Sequence, residues 1–481
     1  MSRIQSLFIL LLCHSILIVG PAFSERKWEF FDQDPGWEGI NNRSAALDPQ
    51  EVVQDFGYCP AEGDQPARIG GRITPAGEPA YYAKAIEPLN LDQPIAASGK
   101  LTVAEGGGHF LLGFFNSQTI NEWRTPNTLV FRINGRGEFF HPHLEYTTRL
   151  WKAQGTVIGR HDIEADRVYP IEAESGTKEY SWSIHYDPKA NNGEGAMSGA
   201  FEDGKASWDL LPGHREEGAT FDRFGLLNVM KSVDGPGHAW ISDLVINGQK
   251  IDLSEDPKWD CYGNRKTYMT TNIRPRFDFG YSETQYAGGR SSGEIGGLMF
   301  RGDCRYPERM AAYGDRIEEV NLEKPLQASG KVSLRMGVSD STTLFGFYHS
   351  EKSMKQNPSQ DTGWPEDFLG AAIEGPSSEG FNFYPAYRME GDNQSRGRGS
   401  DPPMIHPDGE FHAWTLDYDP DGAEGKGRIT VTLDGHPVTM DFELGQKEAG
   451  ASFNRFGFVT TWIDGNGQRV FFDDLNYTWK Q

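Results

Sequence analysis

Three ionisable side chains alternate with apolar ones in the stretch Phe139-Phe140-His141-Pro142-His143-Leu144-Glu145-Tyr146. His141, His143 and Glu145 share one parity, while Phe140, Pro142, Leu144 and Tyr146 share the other. Two imidazoles and a carboxyl in one row suit three chemistries. Glu145 can serve as general acid or base on a glycosidic bond, with Glu138 or Glu122 as the second carboxylate that reaction needs. In a β-elimination, Arg124 or Arg132 with Asn127 would neutralise a uronate while His141 or His143, with Tyr146, moved protons. Tyr146 lies on the apolar parity, which counts against its part in that scheme. His141-x-His143, with Glu145 as third ligand, can also hold a metal, since i and i+2 of a strand point the same way. Two further outcomes need no chemistry: binding alone, or a solvated face.

A row of this kind needs a strand to carry it. Period-2 alternation reads as a strand with one face on a core and the other toward solvent. The preceding apolar run, Leu129 to Ile133, reads as its neighbour and adds Arg132 and Asn134. With Trp123, Arg124 and Asn127 before it, and Arg149 and Trp151 after, one face gathers cationic, amide, imidazole and aromatic groups. Aromatic rings stack on pyranose faces, and planar polar groups bind hydroxyls or carboxylates.

The chain repeats itself. Asp34-Pro35-Gly36-Trp37 recurs as Asp256-Pro257-Lys258-Trp259, Asp55-Phe56-Gly57-Tyr58 as Asp278-Phe279-Gly280-Tyr281, and Phe221-Asp222-Arg223-Phe224-Gly225 as Phe453-Asn454-Arg455-Phe456-Gly457. Order is kept and the offset stays between 222 and 233 residues, a unit the size of a whole all-β domain. The expected division is a leader, 1–24, a first repeat, 25–254, and a second, 255–481. No flexible linker separates the repeats, so they should share a fixed interface. Pairing Phe140 with Phe383 and Pro142 with Pro385 turns His141 into Tyr384, His143 into Ala386 and Glu145 into Arg388. The ionisable row therefore belongs to the first copy alone, and residues kept in both copies are assigned to the scaffold. The second copy, with Tyr384, Tyr387 and Trp364, either binds or braces the first.

Strand signals are dense and helical periodicity is almost absent. Leu101 to Val103, Phe110 to Phe115, Thr128 to Ile133, Tyr180 to Tyr186 and Arg428 to Leu433 all read as strands, the last closing on an Asp434-Gly435 hairpin turn. The pattern Trp414-x-Leu416-x-Tyr418-Asp419-Pro420, then Ile429-x-Val431-x-Leu433-Asp434-Gly435, resembles the concanavalin A-like, laminin-G-like jelly roll, and Trp182-x-Ile184-x-Tyr186-Asp187-Pro188 keeps part of it. The resemblance implies two tandem antiparallel β-sandwiches with Trp182 in the core, and it makes the face described above the concave, sugar-holding groove. It also implies that Asp243 and Asp474, near the last strand of each copy, help hold a structural calcium. The Glu-x-Asp-x-x-Glu string of the retaining glucanases in that superfamily is missing. The Asp-Pro-Gly-Trp and Asp-Phe-Gly-Tyr strings further resemble secreted proteins of planctomycete-type bacteria, a likeness that implies a compartment and no activity.

Arg3, the apolar run Leu7 to Val19 and Ala22-Phe23-Ser24 read as a cleaved secretory signal, and no later stretch is apolar enough to span a membrane. Net charge is −23, which argues against nucleic acid and anionic membranes as partners. Of the three cysteines past the leader, Cys261 and Cys304 are the expected bridge, leaving Cys59 over. The reading is a secreted or cell-envelope protein that engages polysaccharide through its first domain. A polysaccharide hydrolase or lyase is the first rival, and an adhesive envelope protein the second.

Overall fold

The computed structural model describes residues 24–481 except 44–48, 105–107, 121–124, 137, 160, 163–166, 173–175, 339, 360–362, 376–380, 390, 392–394 and 397–401. The leader lies outside the described residues. Among the described residues no helix is long and apolar enough to cross a membrane.

Counting the longer strands, the chain begins with β1 (Glu25–Glu29), β2 (Glu38–Ile40), β3 (Gln50–Cys59), β4 (Arg68–Ile73), β5 (Tyr81–Asn90) and β6 (Ile95–Ala104). β7 (His109–Phe115), β8 (Thr128–Arg136), β9 (Phe139–Thr147) and β10 (Ala153–Val157) follow, then β11 (Glu179–Asp187), β12 (Ala196–Phe201), β13 (Gly204–Asp209), β14 (Thr220–Asn228) and β15 (Gly237–Ile246). After β16 (Asp260–Tyr262) and β17 (Lys266–Thr270) the second copy runs β18 (Phe277–Ser282), β19 (Glu294–Phe300), β20 (Ala312–Asn321), β21 (Leu326–Gly337), β22 (Thr342–Tyr348), β23 (Phe368–Glu374) and β24 (Phe381–Arg388). It closes with β25 (Phe411–Asp419), β26 (Arg428–Leu433), β27 (His436–Asp441), β28 (Ser452–Val459) and β29 (Gly467–Lys480). The expected tandem of antiparallel sandwiches is what forms. In the first, the sheet β10-β9-β8-β7-β14-β5-β16 packs on β13-β12-β11-β6-β15-β4-β3. In the second, β2-β20-β28-β22-β23-β24 packs on β18-β19-β29-β21-β25-β26-β27. Inward residues of both sheets fill each core; Trp182, 3 % exposed, lies edge-on to Phe131 and stacks on Phe224.

The packing boundary differs from the repeat boundary. Residues 256–270 complete the first sandwich: Trp259 stacks on Tyr82, β16 pairs with β5, and β17 pairs with β3. The corresponding N-terminal segment crosses the molecule instead. β1 pairs with β29, β2 pairs with β20, and Trp37 sits among Phe31, Tyr313 and Tyr477 of the second core. The second sandwich is thus 271–481 closed by 24–43, in place of the division 25–254 and 255–481. The repeated residues explain why. Asn264 bonds the backbone of Phe56 as Asn42 bonds that of Phe279. Arg265 reaches the Tyr58 carbonyl as Arg43 reaches that of Tyr281. Arg223 pairs with Asp260 as Arg455 pairs with Glu38. The same fasteners work twice, once along the chain and once across it.

The cysteine expectation fails. Cys59, Cys261 and Cys304 are all free thiols. Cys261 is exposed on β16 of the first sandwich, whereas Cys304 is buried in the second beside Met310 and Trp462.

Candidate functional site

Register places the polar groups in rows across three strands. His109 on β7 stands opposite Asn134 on β8, which stands opposite His141 on β9. The next row on the same face is Leu111, Arg132 and His143, and the next Gly113, Val130 and Glu145. The predicted parity is therefore correct, with Phe140, Leu144 and Tyr146 in the core. The expectation that the opposite face is open is corrected. Its middle is a second apolar cluster of Tyr81, Leu111, Phe115, Val130, Leu227, Val229 and Met230. Glu145 is only 4 % exposed and Arg132 only 5 %. The two lie diagonally across the strand pair, and Arg132 Nε donates to both carboxylate oxygens, at 3.3 and 3.1 Å. A Cβ on Gly155, opposite Glu145 on β10, would come within 2.6 Å of the Glu145 Cβ, so only glycine leaves that carboxylate its place.

Around this buried pair the imidazoles form a half-buried rim: His109, His141 and His143, with Asn134. His109 Nε2 donates to Asn134 Oδ1, and the His141 and His143 rings are 6.3 Å apart. Burial, then the nearby Lys231 charge, pushes His109 down to about 4, so it is neutral at neutral pH. Lys231 follows Met230 and bonds Asp234 at 2.8 Å. Burial pulls its pKa down and Asp234 offsets part of that. For Asp234, burial pushes up, but the hydrogen bond and charge of Lys231 outweigh it and hold the carboxyl low. Phe139, 43 % exposed, ends the row on the same parity.

Other predicted site residues fall elsewhere. Glu122, Trp123 and Arg124 lie outside the described residues, and Glu138 is exposed beyond the end of the strand. Asn127 is a buried loop clamp in the left-handed region (φ 58°): its amide donates to Thr119 and its carbonyl oxygen accepts from the Thr220 backbone. Arg149 bonds the Glu217 carbonyl past the far end of β9. Asn127 and Arg149 line a groove of about 570 Å³ there, with Asp92, Arg215 and Glu217. Trp151 (φ 65°) is stacked on His406 of the second copy and is no sugar platform. Tyr146 faces the core and its hydroxyl meets His214 Nδ1 at 2.9 Å, which removes it from proton transfer on the open side.

The metal readings do not fit. Among the described residues no group of three or more His, Cys, Asp or Glu side chains is arranged to hold an ion. Asp243 and Asp474 occupy left-handed bulge positions (φ 50° and 48°), a conformation their short side chains tolerate. Asp243 is exposed, and Asp474 is already met by Lys331 at 3.2 Å and Arg290 at 3.4 Å.

The second copy supplies the comparison, after a correction of two residues. Leu129 faces Tyr146 as Leu369 faces Tyr387, and both hydroxyls reach the first residue of a short helix, His214 or Gln446. His143 therefore matches Tyr384, Glu145 matches Ala386, Arg132 matches Ala372 and Asn134 matches Glu374. A shift of two preserves the face, so the contrast between copies stands. The buried Arg132–Glu145 pair is replaced by two alanines. The second face is instead filled from within. Arg301 bonds Glu374 at 3.3 Å, Tyr384 donates to the same carboxylate, and Arg388 lies over Trp462 and bonds the Trp364 carbonyl. Tyr384, Tyr387 and Trp364 are all buried, so none of the three offers a surface to a ligand. Sequence reasoning missed His109, Lys231 and Asp234. His109 was within reach, since it carries the odd parity of its own strand, but a lysine in a loop gives no periodic signal.

No protein-family model matches the chain, and no curated protein sequence does. Among solved structures it is similar to domains LG4-5 of the mouse laminin alpha1 chain, at 12 % identity and TM-score 0.25 over 91 % of this chain and 94 % of that one. It is similar to the Emp47p carbohydrate recognition domain at 10 % identity and TM-score 0.28, over 42 % of this chain and 89 % of that one. Alginate lyase Aly36B gives 13 % identity and TM-score 0.27, over 42 % and 86 %.

Proposed function

We propose that this chain is a secreted or cell-envelope protein that binds polysaccharide on the first sandwich, along the β7–β8–β9 face that carries His109, Asn134, His141 and His143. One observation carries the reading: the fold builds this face twice and has the Arg132–Glu145 pair with its rim of imidazoles only once. A buried ion pair is seldom worth more to stability than small or apolar residues in its place, and the second copy has Ala372 and Ala386 at the matched positions, its own buried pair, Arg301 with Glu374, lying at a different place on that face. The first copy keeps Arg132 and Glu145 beneath a rim of imidazoles, so the pair is best explained by what the rim holds. Cleavage chemistry gains no support from Glu145, because both its oxygens are engaged by Arg132.

The test is retention of the purified chain on immobilised polysaccharides, with a His141→Ala/His143→Ala variant and a surface control at Asp419. Loss of retention in the double variant alone is the expected result. Equal retention by all three proteins would place the binding face elsewhere. New reducing ends or unsaturated uronate absorbance in the same incubations would replace binding with catalysis.

A further inference from the structure

We infer that the cleft which residues 24–43 close in the second sandwich is a docking site for the same segment of a second copy of this chain, so that copies join head to tail. Among the described residues, every strand pairing, side-chain hydrogen bond and ring contact that the segment makes beyond itself is with the second sandwich. Lys27 meets Asp315 at 2.8 Å. Asn41 donates to the carbonyls of Pro307 and Met310 at 3.1 and 2.8 Å, and Arg290 lies 3.9 Å over Phe30. The segment is tied to the first sandwich by the covalent chain that leads into β3. The cleft has to be filled by some segment, since leaving it empty would expose the rings of Tyr313 and Tyr477 on which Trp37 packs.

The first sandwich shows the alternative order. There the closing segment follows the last strand: β15 turns at Asn247-Gly248, Gln249–Lys250 pairs back on it, and residues 256–270 complete the sandwich through β16 and β17. In the second sandwich β1 lies on the last strand, β29, in the same antiparallel sense, from Glu25 opposite Lys480 to Glu29 opposite Leu475. It arrives, however, from ahead of the first sandwich. Each sandwich is therefore closed by a segment of the other repeat, a domain swap carried out within one chain. A swapped segment makes the same contacts whichever chain it comes from, and a head-to-tail contact gives either a closed ring or an open series. The structure is the ring of one member. A cleft chooses between its own segment, presented by a short connection at an effective concentration on the order of 1 mM, and segments of other chains at the working protein concentration. The choice is made while the chain folds, the stage at which repeat proteins exchange elements. On the binding reading above, a series of copies would hold one long polysaccharide at several points; the exchange itself does not depend on that reading.

The experiment unfolds the full mature chain in guanidinium chloride and refolds it at about 5 and about 500 µM, one far below that effective concentration and one near it. Salt is held at about 150 mM, where a Debye length of about 8 Å screens the net charge of −23 on each copy. A reducing agent keeps the free thiols from linking copies. Size exclusion with light scattering should find monomer at the lower concentration and dimer with larger species at the higher, their share rising at least about tenfold. Isolated dimers should persist on dilution, since reversal requires the segment to leave its cleft. A synthetic peptide spanning 24–43, present in about tenfold molar excess during refolding, should suppress the larger species by mass action. The same peptide with Trp37→Ala should not. Monomer alone at both concentrations would overturn the inference. So would oligomers that dissociate at once on dilution, or that the native peptide leaves unchanged, because another surface would then hold them. None of these readouts involves glycan, so failure here leaves the binding face as proposed.

Discussion

Trp37 belongs to the first repeat by sequence and to the second sandwich by packing, so its removal should damage a part of the protein more than two hundred residues away. Its ring is 7 % exposed and lies 5.6 Å from Phe31, 5.6 Å from Tyr313 and 6.3 Å from Tyr477. A buried tryptophan removes on the order of 200 Å² from water, worth about 5 kcal/mol at about 25 cal/mol per Å². Partial collapse of the site brings Trp37→Ala to about 3–5 kcal/mol, the usual range for aromatic truncation in a core. Native-state hydrogen exchange read by peptide is the assay. Protection should fall in β20, β28 and β29 and hold in β5 to β9. Trp259→Ala should give the mirror image, with β5 and β14 losing protection first. Loss confined to the first sandwich in Trp37→Ala would refute the crossing of the N-terminal segment, and so would a variant that unfolds like wild type.

Three further outcomes follow from the buried polar groups. Glu145→Ala alone takes the carboxylate away from the buried Arg132 guanidinium and should cost about 3–5 kcal/mol in chemical denaturation, whereas Arg132→Ala/Glu145→Ala copies the second sandwich at these two positions and should cost under about 1.5 kcal/mol. Equal losses in the two proteins would show that the pair supports the fold after all. His109 is held near 4 against about 6.5 in the unfolded chain, so its contribution is complete above the unfolded value and fades as pH falls from about 6.5 to about 4. His109→Gln should flatten the stability–pH curve in that window, and an unchanged curve would mean that the imidazole is solvated. Burial raises the Cys304 thiol to about 11 while Cys261 stands exposed, so thiol titration should count Cys261 in the native protein and Cys304 only after unfolding; a reducing agent should leave Tm unchanged.

What could be read from the sequence was whatever repeats with a short period. The parity of the 139–147 strand, the all-β class and the tandem copies follow from alternation and self-similarity, and the burial of Trp182 from the resemblance to the jelly roll. Exposure did not follow, because alternation tells which side of a sheet a residue takes and nothing about what later packs over that side. Glu145 has the parity of a surface residue and the burial of a core one, on a face whose apolar cluster includes its cross-strand neighbour Val130. The two-residue slip against the second copy had the same origin. Phe140 and Phe383 look alike, but Tyr146 and Tyr387 share the partner that fixes the register. The domain boundary was hidden for a different reason: a repeated sequence shows that two segments are equivalent and cannot show which copy each one completes.

That last ambiguity bears on the functional argument. The residues kept in both copies, Trp37 and Trp259, Arg223 and Arg455, Asn42 and Asn264, are the ones that seat a segment in a sandwich, and the structure uses each set for that purpose. Duplicated residues are thereby accounted for by assembly. The groups left unexplained by assembly are those of one copy only, and in the first sandwich they gather at Arg132, Glu145, His109, His141 and His143. In the second, the matched space is filled by Arg301, Glu374 and Tyr384, bonded to one another. A side chain that already occupies a groove and satisfies its neighbours leaves nothing for a ligand to replace at a profit in hydrogen bonds. On the binding function proposed above, one filled face beside one with a half-exposed polar rim corresponds to one glycan site per chain, and isothermal titration with a short soluble oligosaccharide should return a value near one where two equivalent sites would return two.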